Sequence, residues 1–315
     1  MNPLELSAAI VAVAIGFLIA VVASRRAVTN TTELAAGTRI PRFVIGFTLL
    51  AIGTDLPEIA NSIVASLTGH GDLNVGDSVG SAATQVTLIL GLLPLLGGVV
   101  FSISRRRFGR AGTATVGALL LGMALMSDGD ISRLDATVLI GAWIFGSFLT
   151  WSPAPPGTQL DLPLQSPKKL RKVFAVLGSL AIVAAGAMLA VWGMTVIAEA
   201  MTIPEYIIAF FLASIGTSLP ELVVNLTAIR QGQKDLAIGG AIGSSFVDST
   251  LSIGIGPLIA PVAVTTSLAL SGSAIAAIAV AIVVSILVIR RRHDRITGMV
   301  LILIYLGLYL FFITT

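Results

Sequence analysis

The sequence predicts an all-α polytopic membrane protein with ten transmembrane helices arranged as two inverted five-helix repeats. Three observations carry that reading. The 315 residues are 56% hydrophobic and only 11% charged, with a mean hydropathy of +0.99, whereas soluble domains carry about 25% charged residues. The windows 47–96 and 210–259 superimpose without a gap at an offset of 163 residues and are identical at 20 positions, which marks an internal repeat. Basic residues cluster in every second connection between apolar stretches.

Apolar runs of about 20 residues match the thickness of bilayer hydrocarbon. They place spans at 6–23, 43–67, 73–99, 112–126, 136–150, 173–197, 203–229, 236–260, 268–289 and 298–313, the fourth and fifth being short. The N-terminus, Met1-Asn2-Pro3-Leu4-Glu5, has no basic segment, so the first span is expected to be retained rather than cleaved as a signal. Of the 19 basic residues, 18 follow spans one, three, five, seven or nine, with Arg133 the exception. The positive-inside rule makes those connections cytoplasmic and puts both termini outside the plasma membrane.

Each repeat holds an odd number of spans, so the second half must enter the membrane in the opposite sense. Inverted repeats are the architecture of many secondary transporters, with the site at the midplane where the halves meet. The expected division is a first repeat at 1–151, a cytoplasmic linker at 152–167 and a second repeat at 168–315. The linker carries Pro153, Pro155, Pro156, Pro163 and Pro167 and cannot be helical throughout. The pI of 9.6 reflects loop bases and does not point to nucleic acid. With no cysteine, disulfide, thiolate-metal and thiol redox chemistry are excluded.

The repeat also carries the chemistry. Its first copy reads G-T-D-L-P-E over residues 53–58 and its second G-T-S-L-P-E over 216–221. A proline inside a span lacks an N–H and clashes with the carbonyl four residues back. The second and seventh spans should therefore break near Pro57 and Pro220, freeing backbone oxygens near Ala51 to Gly53 and near Ser214 to Gly216. Non-helical backbone at membrane depth is tolerated only where it is buried or lines a cavity. Thr54 and Glu58 are four apart and share a helix face, as do Thr217 and Glu221. In the third and eighth spans Ser81 and Gln85 are matched by Ser244 and Asp248. Gly76, Gly80, Gly239 and Gly243 recur at four-residue spacing, which lets helix backbones approach closely.

The residues facing this centre are Asp55, Glu58, Glu221 and Asp248, with Thr54, Thr217, Ser218, Ser81, Ser244, Gln85 and the freed carbonyls around them. Every one offers oxygen, and oxygen-only sets with carboxylates suit hard cations. Four acids in a low dielectric must bind cations or protons. Asp77 lies one turn before Ser81 and is read equally well as a helix cap. His70 and His293 fall in connections and are expected to be solvated.

At these residues the chain resembles the sodium/calcium exchanger family of the cation/Ca2+ exchanger superfamily, in its prokaryotic form. The motifs are the two just quoted together with V-G-S-A-A-T-Q at 79–85 and I-G-S-S-F-V-D at 242–248. The resemblance implies a core of spans two, three, seven and eight, gating spans one and six, and exchange of Na+ for Ca2+ by alternating access. It implies Glu58 and Glu221 as the Ca2+ carboxylates. Thr54, Thr217, Ser218, Ser81, Ser244 and Asp248 would be the Na+ ligands, with carbonyls near Ala51 and Ser214. It implies a monomer in the lipid bilayer with Na+ and Ca2+ as substrates and no cofactor.

The chain departs from the family pattern in or beside the site. Asp55 stands where Ser is usual, Gln85 and Asp77 where Asn is usual, and Gly240 where another Asn is common. Ala82 and Ser245 stand where the family's G-S-N motif has Asn. A proton-coupled exchanger of Ca2+, Mg2+ or Mn2+ is therefore a second reading. A channel would need a continuous polar path. An intramembrane aspartyl protease would need a G-x-G-D motif, and Asp77 follows Asn74-Val75-Gly76 instead.

Overall fold

The computed structural model describes residues 3–35, 42–150, 169–201, 204–230 and 232–314; the expected linker at 152–167 lies outside them. The helices are α1 (Pro3–Ala35), α2 (Arg42–Thr54), α3 (Leu56–Leu67), α4 (Gly71–Gly97), α5 (Arg105–Leu125) and α6 (Arg133–Thr150). They continue with α7 (Lys169–Met201), α8 (Glu205–Arg230), α9 (Lys234–Ile259), α10 (Thr266–Arg290) and α11 (Arg295–Thr314). Among the described residues eight helices are long and apolar enough to cross a membrane, and the bent pair α2–α3 makes a ninth. The expected tenth span falls on α11, a helix of 20 residues.

Several boundaries differ from the apolar runs. Helix α1 continues to Ala35, so Arg25 and Arg26 ride on a helix rather than in a loop. The short fourth and fifth runs are parts of helices of 21 and 18 residues, because Arg105–Arg110 and Arg133–Asp135 extend them into polar surroundings. Hydropathy locates the slab of membrane, and backbone hydrogen bonding carries the helix past it.

Packing follows the repeat. Gly76 and Gly80 of α4 lie against the backbone at Tyr206 and Phe210 of α8, and Gly239 and Gly243 of α9 lie against Phe43 and Phe47 of α2. These contacts interchange under the 163-residue shift, so the halves are related by a pseudo-twofold. A Cβ at any of the four glycines would fall under 3.0 Å from the partner helix, so close backbone approach is what requires glycine there. Helices α1 and α7 form a second such pair, with Gly16 against Gly186 and Ala190, and Gly193 against Ala9 and Val13.

Two short antiparallel ladders tie the halves together beyond the spans. Strand β1 (Phe101–Ser102) pairs with β4 (Arg292–His293), and β2 (Asp130–Ile131) with β3 (Val262–Ala263). Neither connection histidine is freely solvated. His293 is fully buried, contacts the Leu90 carbonyl at 2.9 Å and the Thr297 hydroxyl at 2.8 Å, and stacks on Phe101. Burial pushes its imidazole below the usual histidine pKa, and the Leu90 carbonyl opposes that shift. His70 is partly buried and pairs with Glu205 at 3.1 Å. Glu205 and the Leu90 carbonyl, which lie 135 and 203 residues away, could not be read from the sequence.

Candidate functional site

The helix breaks fall at Asp55 and Ser218. Asp55 has φ −80° and ψ 10°, and Ser218 has φ −80° and ψ 2°; α2 and α3 meet there at 47°. The break precedes the proline by two residues for a physical reason. Pro57 then sits in the first turn of the new helix, where its missing N–H is one that no helix would use. Glu58 and Glu221 thereby occupy the first turns after the two breaks, beside amides that favour negative charge.

One expectation is corrected here. The Ala51 and Ser214 carbonyls are not freed. Ala51 O accepts the Asp55 amide at 2.9 Å and Ser214 O accepts the Ser218 amide at 3.1 Å, and the Thr54 and Thr217 hydroxyls lie at 3.1 Å and 3.5 Å from the same two oxygens. It is the Gly53 carbonyl that loses its helical donor, because Pro57 has no N–H to give it.

A feature absent from the sequence reading accompanies the breaks. Four single π-helical turns, at Gly46–Leu50, Gln85–Ile89, Ala209–Ala213 and Asp248–Ser252, lie at positions equivalent under the repeat. Such turns insert one residue into a helix, shift its face and concentrate at functional sites. The sequence carried a weak signal for them. Thr87 and Thr250, repeat equivalents, each donate to the carbonyl four residues back at 2.6 Å, a bond that bends helices.

The structure brings the expected side chains together. Asp55, Glu58 and Glu221 are fully buried, and a ligand oxygen from each lies within 4.8 Å of the others. Asp248 is an electrostatic neighbour of Asp55, Glu58 and Glu221. Its Oδ1 accepts from Ser252 at 3.0 Å. The hydroxyls of Thr54 and Ser244 lie 3.3 Å apart, and so do those of Ser81 and Thr217, again exchanged by the pseudo-twofold. Thr217 lies alongside Glu58 and Thr54 alongside Glu221. Ser214 reaches the Thr84 hydroxyl at 3.2 Å. Gln85 points its amide nitrogen at Asp55 Oδ1, at the outer limit of 3.5 Å. The Ser218 hydroxyl is buried and bonds no described residue.

Asp77, left open by the sequence, joins this cluster. Its Oδ2 accepts from Asn61 at 2.6 Å and its Oδ1 from Thr217 at 3.1 Å, and it is an electrostatic neighbour of Glu58 and Asp248. The sequence hid it because Gly240, its repeat equivalent, carries no side chain.

The donor set decides what the arrangement can hold. Both oxygens of Glu58 and of Glu221, together with Asp55 Oδ2 and Asp248 Oδ2, are buried and accept no hydrogen bond from any described residue. A buried carboxylate oxygen without a donor is costly, and a cation supplies what the protein does not. Ca2+ takes oxygens at about 2.3–2.6 Å, so a single ion can touch three oxygens spaced within 4.8 Å.

The putative antiporter CaxA of Alkalimonas amylolytica is 29% identical over 307 residues, covering 94% of this chain and 95% of that protein. The inner membrane protein YrbG of Escherichia coli K12 is 30% identical over 78% of each chain. The sodium/calcium exchanger MaX1 of Methanosarcina acetivorans is 26% identical over 79% of this chain and 83% of its own. The solved structure of the sodium-calcium exchanger NCX_Mj, soaked with Na+ and Sr2+, superposes with a TM-score of 0.65 at 24% identity, covering 96% of this chain and 97% of that one. The fold is therefore shared with a structure whose sequence has largely diverged. The family described as sodium/calcium exchanger protein matches residues 8–152 and 172–314, nearly all of both repeats, and this multi-pass membrane protein belongs to that family.

Proposed function

We propose that the protein is a secondary active antiporter exchanging Na+ for Ca2+ by alternating access. The observation that carries this reading is the buried trio Asp55, Glu58 and Glu221, whose oxygens converge between the two halves and, apart from Asp55 Oδ1, lack donors among the described residues. Glu58 and Glu221 hold the divalent ion. Thr54, Thr217, Ser218, Ser81, Ser244 and Asp248 ligate Na+, while Gln85 and Asp55 tune the same centre. Monovalent and divalent cations compete for one set of carboxylates, so they do not fill it together. The carrier moves when its buried charge is compensated and stalls when it is not. The antiporter and exchanger names of two relatives support this reading. The protein is a transporter and not an enzyme, and it works as a monomer in the plasma membrane.

The test is radiolabelled Ca2+ uptake into proteoliposomes with Na+, K+ and H+ gradients imposed separately. Uptake driven by an outward Na+ gradient is expected, and Na+ added on the Ca2+ side should weaken it. Uptake indifferent to Na+ but driven by a pH gradient would favour a proton-coupled divalent exchanger. The buried Asp55, an acid beyond the paired glutamates, is the observation that keeps this second reading alive. Its arm of the experiment is Asp55→Ser, expected to change ion selectivity or the charge moved per cycle. Unchanged ions, stoichiometry and pH dependence would make Asp55 structural.

Ten spans in two inverted sets of five, at 1–151 and 168–315, make the 152–167 linker cytoplasmic and put both termini outside. The chain has no native cysteine, so Gly157→Cys places a single reporter in the linker. An impermeant thiol reagent is expected to label it only from the cytoplasmic side, and labelling of intact cells from outside would reverse the orientation.

A further inference from the structure

The two halves of the site differ at three repeat-equivalent pairs, Asp55 against Ser218, Gln85 against Asp248 and Asp77 against Gly240, and the last of these bears on the threonine hydroxyls. On one side the Thr217 hydroxyl has three kinds of oxygen within reach: Asp77 Oδ1 at 3.1 Å, the Ala213 carbonyl at 3.1 Å and the Ser81 hydroxyl at 3.3 Å. On the other, the equivalent Thr54 hydroxyl bonds the Leu50 and Ala51 carbonyls at 3.1 Å and the Ser244 hydroxyl at 3.3 Å; the glutamates beside the two threonines, Glu58 and Glu221, are equivalent, so Asp77 is the added carboxylate. The residue equivalent to Asp77 is Gly240, and Asn225 Oδ1 fills the space a side chain there would take.

A hydroxyl has one proton to give. Bonds to a carboxylate are about twice as strong as bonds between neutral groups, so the Thr217 proton goes to Asp77. Its lone pairs are then left for a cation, and the carboxylate behind it makes the oxygen a better donor, as carboxylates behind metal ligands generally do. Asn61 holds Asp77 in that pose through its other oxygen at 2.6 Å. Thr54 has no such support.

We propose that Asp77 is a positioning residue that makes the Thr217–Ser81 side of the site the stronger monovalent-cation position and the Thr54–Ser244 side the weaker one. The pseudo-symmetric site thus binds Na+ unequally, and Asp77 sets the Na+ side of the exchange more than the Ca2+ side. The inference rests on the Na+/Ca2+ reading above.

Asp77→Asn removes the charge and keeps the shape. Asn61 can turn its amide to present Oδ1, which bonds no described residue in the parent, so the variant is expected to fold. Two measurements on purified protein apply. One is Na+ displacement of radiolabelled Ca2+ at equilibrium, and the other is Ca2+–Ca2+ exchange in proteoliposomes, which needs no Na+. Asp77→Asn is expected to weaken Na+ half-displacement about tenfold, within the range for carboxylates behind metal ligands, and to lower Ca2+–Ca2+ exchange by a smaller factor. The swap Asn61→Asp with Asp77→Asn returns the charge to the pair but puts an amide against Thr217, and its Na+ half-displacement should stay weak. Recovery in the swap would reduce Asp77 to net charge and overturn the proposal. An unchanged Na+ response in Asp77→Asn, or equal loss of Na+ displacement and Ca2+–Ca2+ exchange in folded protein, would also overturn it. A parent in which Na+ does not displace Ca2+ would instead sink the exchange reading itself.

Discussion

Replacing Glu58 or Glu221 with glutamine is expected to abolish Ca2+ uptake while leaving the protein folded. Each carboxylate is fully buried, and both its oxygens lack a donor among the described residues. With Ca2+ bound, each is half of a buried ion pair, and removing one partner of such a pair costs about 3–5 kcal/mol. That is about a 10²- to 4 × 10³-fold loss of affinity, at 1.4 kcal/mol per tenfold. The ion-free protein should respond in the opposite direction, because the amide removes a buried charge that nothing in the protein compensates. In Ca2+-free detergent the variants should therefore melt at or above the parent's Tm. Saturating Ca2+ should raise the parent's Tm, by about 2.7 kcal/mol of stability at 100 times Kd, and leave the variants unmoved. Wild-type uptake by either folded variant, or a Ca2+-dependent Tm that survives in it, would remove that glutamate from the ion's contacts.

The second large effect is on stability. Gly80→Ala and Gly243→Ala each add a Cβ under 3.0 Å from the backbone of the opposite repeat, at Phe210 and Phe47. Backbone cannot swing aside as a flexible side chain can, so the helices must separate. Overpacking of this kind typically costs about 1–3 kcal/mol, and valine at either position should cost more. Because α4–α8 and α9–α2 cross near the helix breaks, the separation also widens the carboxylate cluster, so Ca2+ affinity should fall together with Tm. Gly117 in α5 is the control. Nothing lies within 4 Å of a Cβ there, and alanine at an open helical position gains about 0.8–1 kcal/mol over glycine. Thermal melting of the three variants in detergent checks both halves of the argument. Equal Tm values for Gly80→Ala, Gly243→Ala and Gly117→Ala would mean the crossings are looser than the structure has them.

The sequence by itself determined the class, the repeat and most members of the buried oxygen cluster. Hydropathy reports the membrane directly, because lipid tolerates few charges. The 163-residue offset copied Thr54, Glu58 and Ser81 onto Thr217, Glu221 and Ser244, and duplication separated these acids from incidental ones. The four-residue glycine spacing foresaw close helix crossings. What it could not give was which helix each glycine face meets. Gly76 and Gly80 pack on α8, from the other repeat, and periodicity names a face without naming its partner.

Only the tertiary structure decided three further matters. The breaks fall at Asp55 and Ser218 rather than at the prolines, because a proline is best tolerated in the first turn of a new helix. The Ala51 and Ser214 carbonyls keep their amide donors, since a break two residues earlier leaves those bonds intact. Asp77 enters the site through Asn61 and Thr217, which are 16 and 140 residues away. Repeat logic finds what both halves share, whereas Asp77 exists in one half alone. Its importance comes from a contact between the halves, and such contacts are fixed by three-dimensional packing rather than by spacing along the chain.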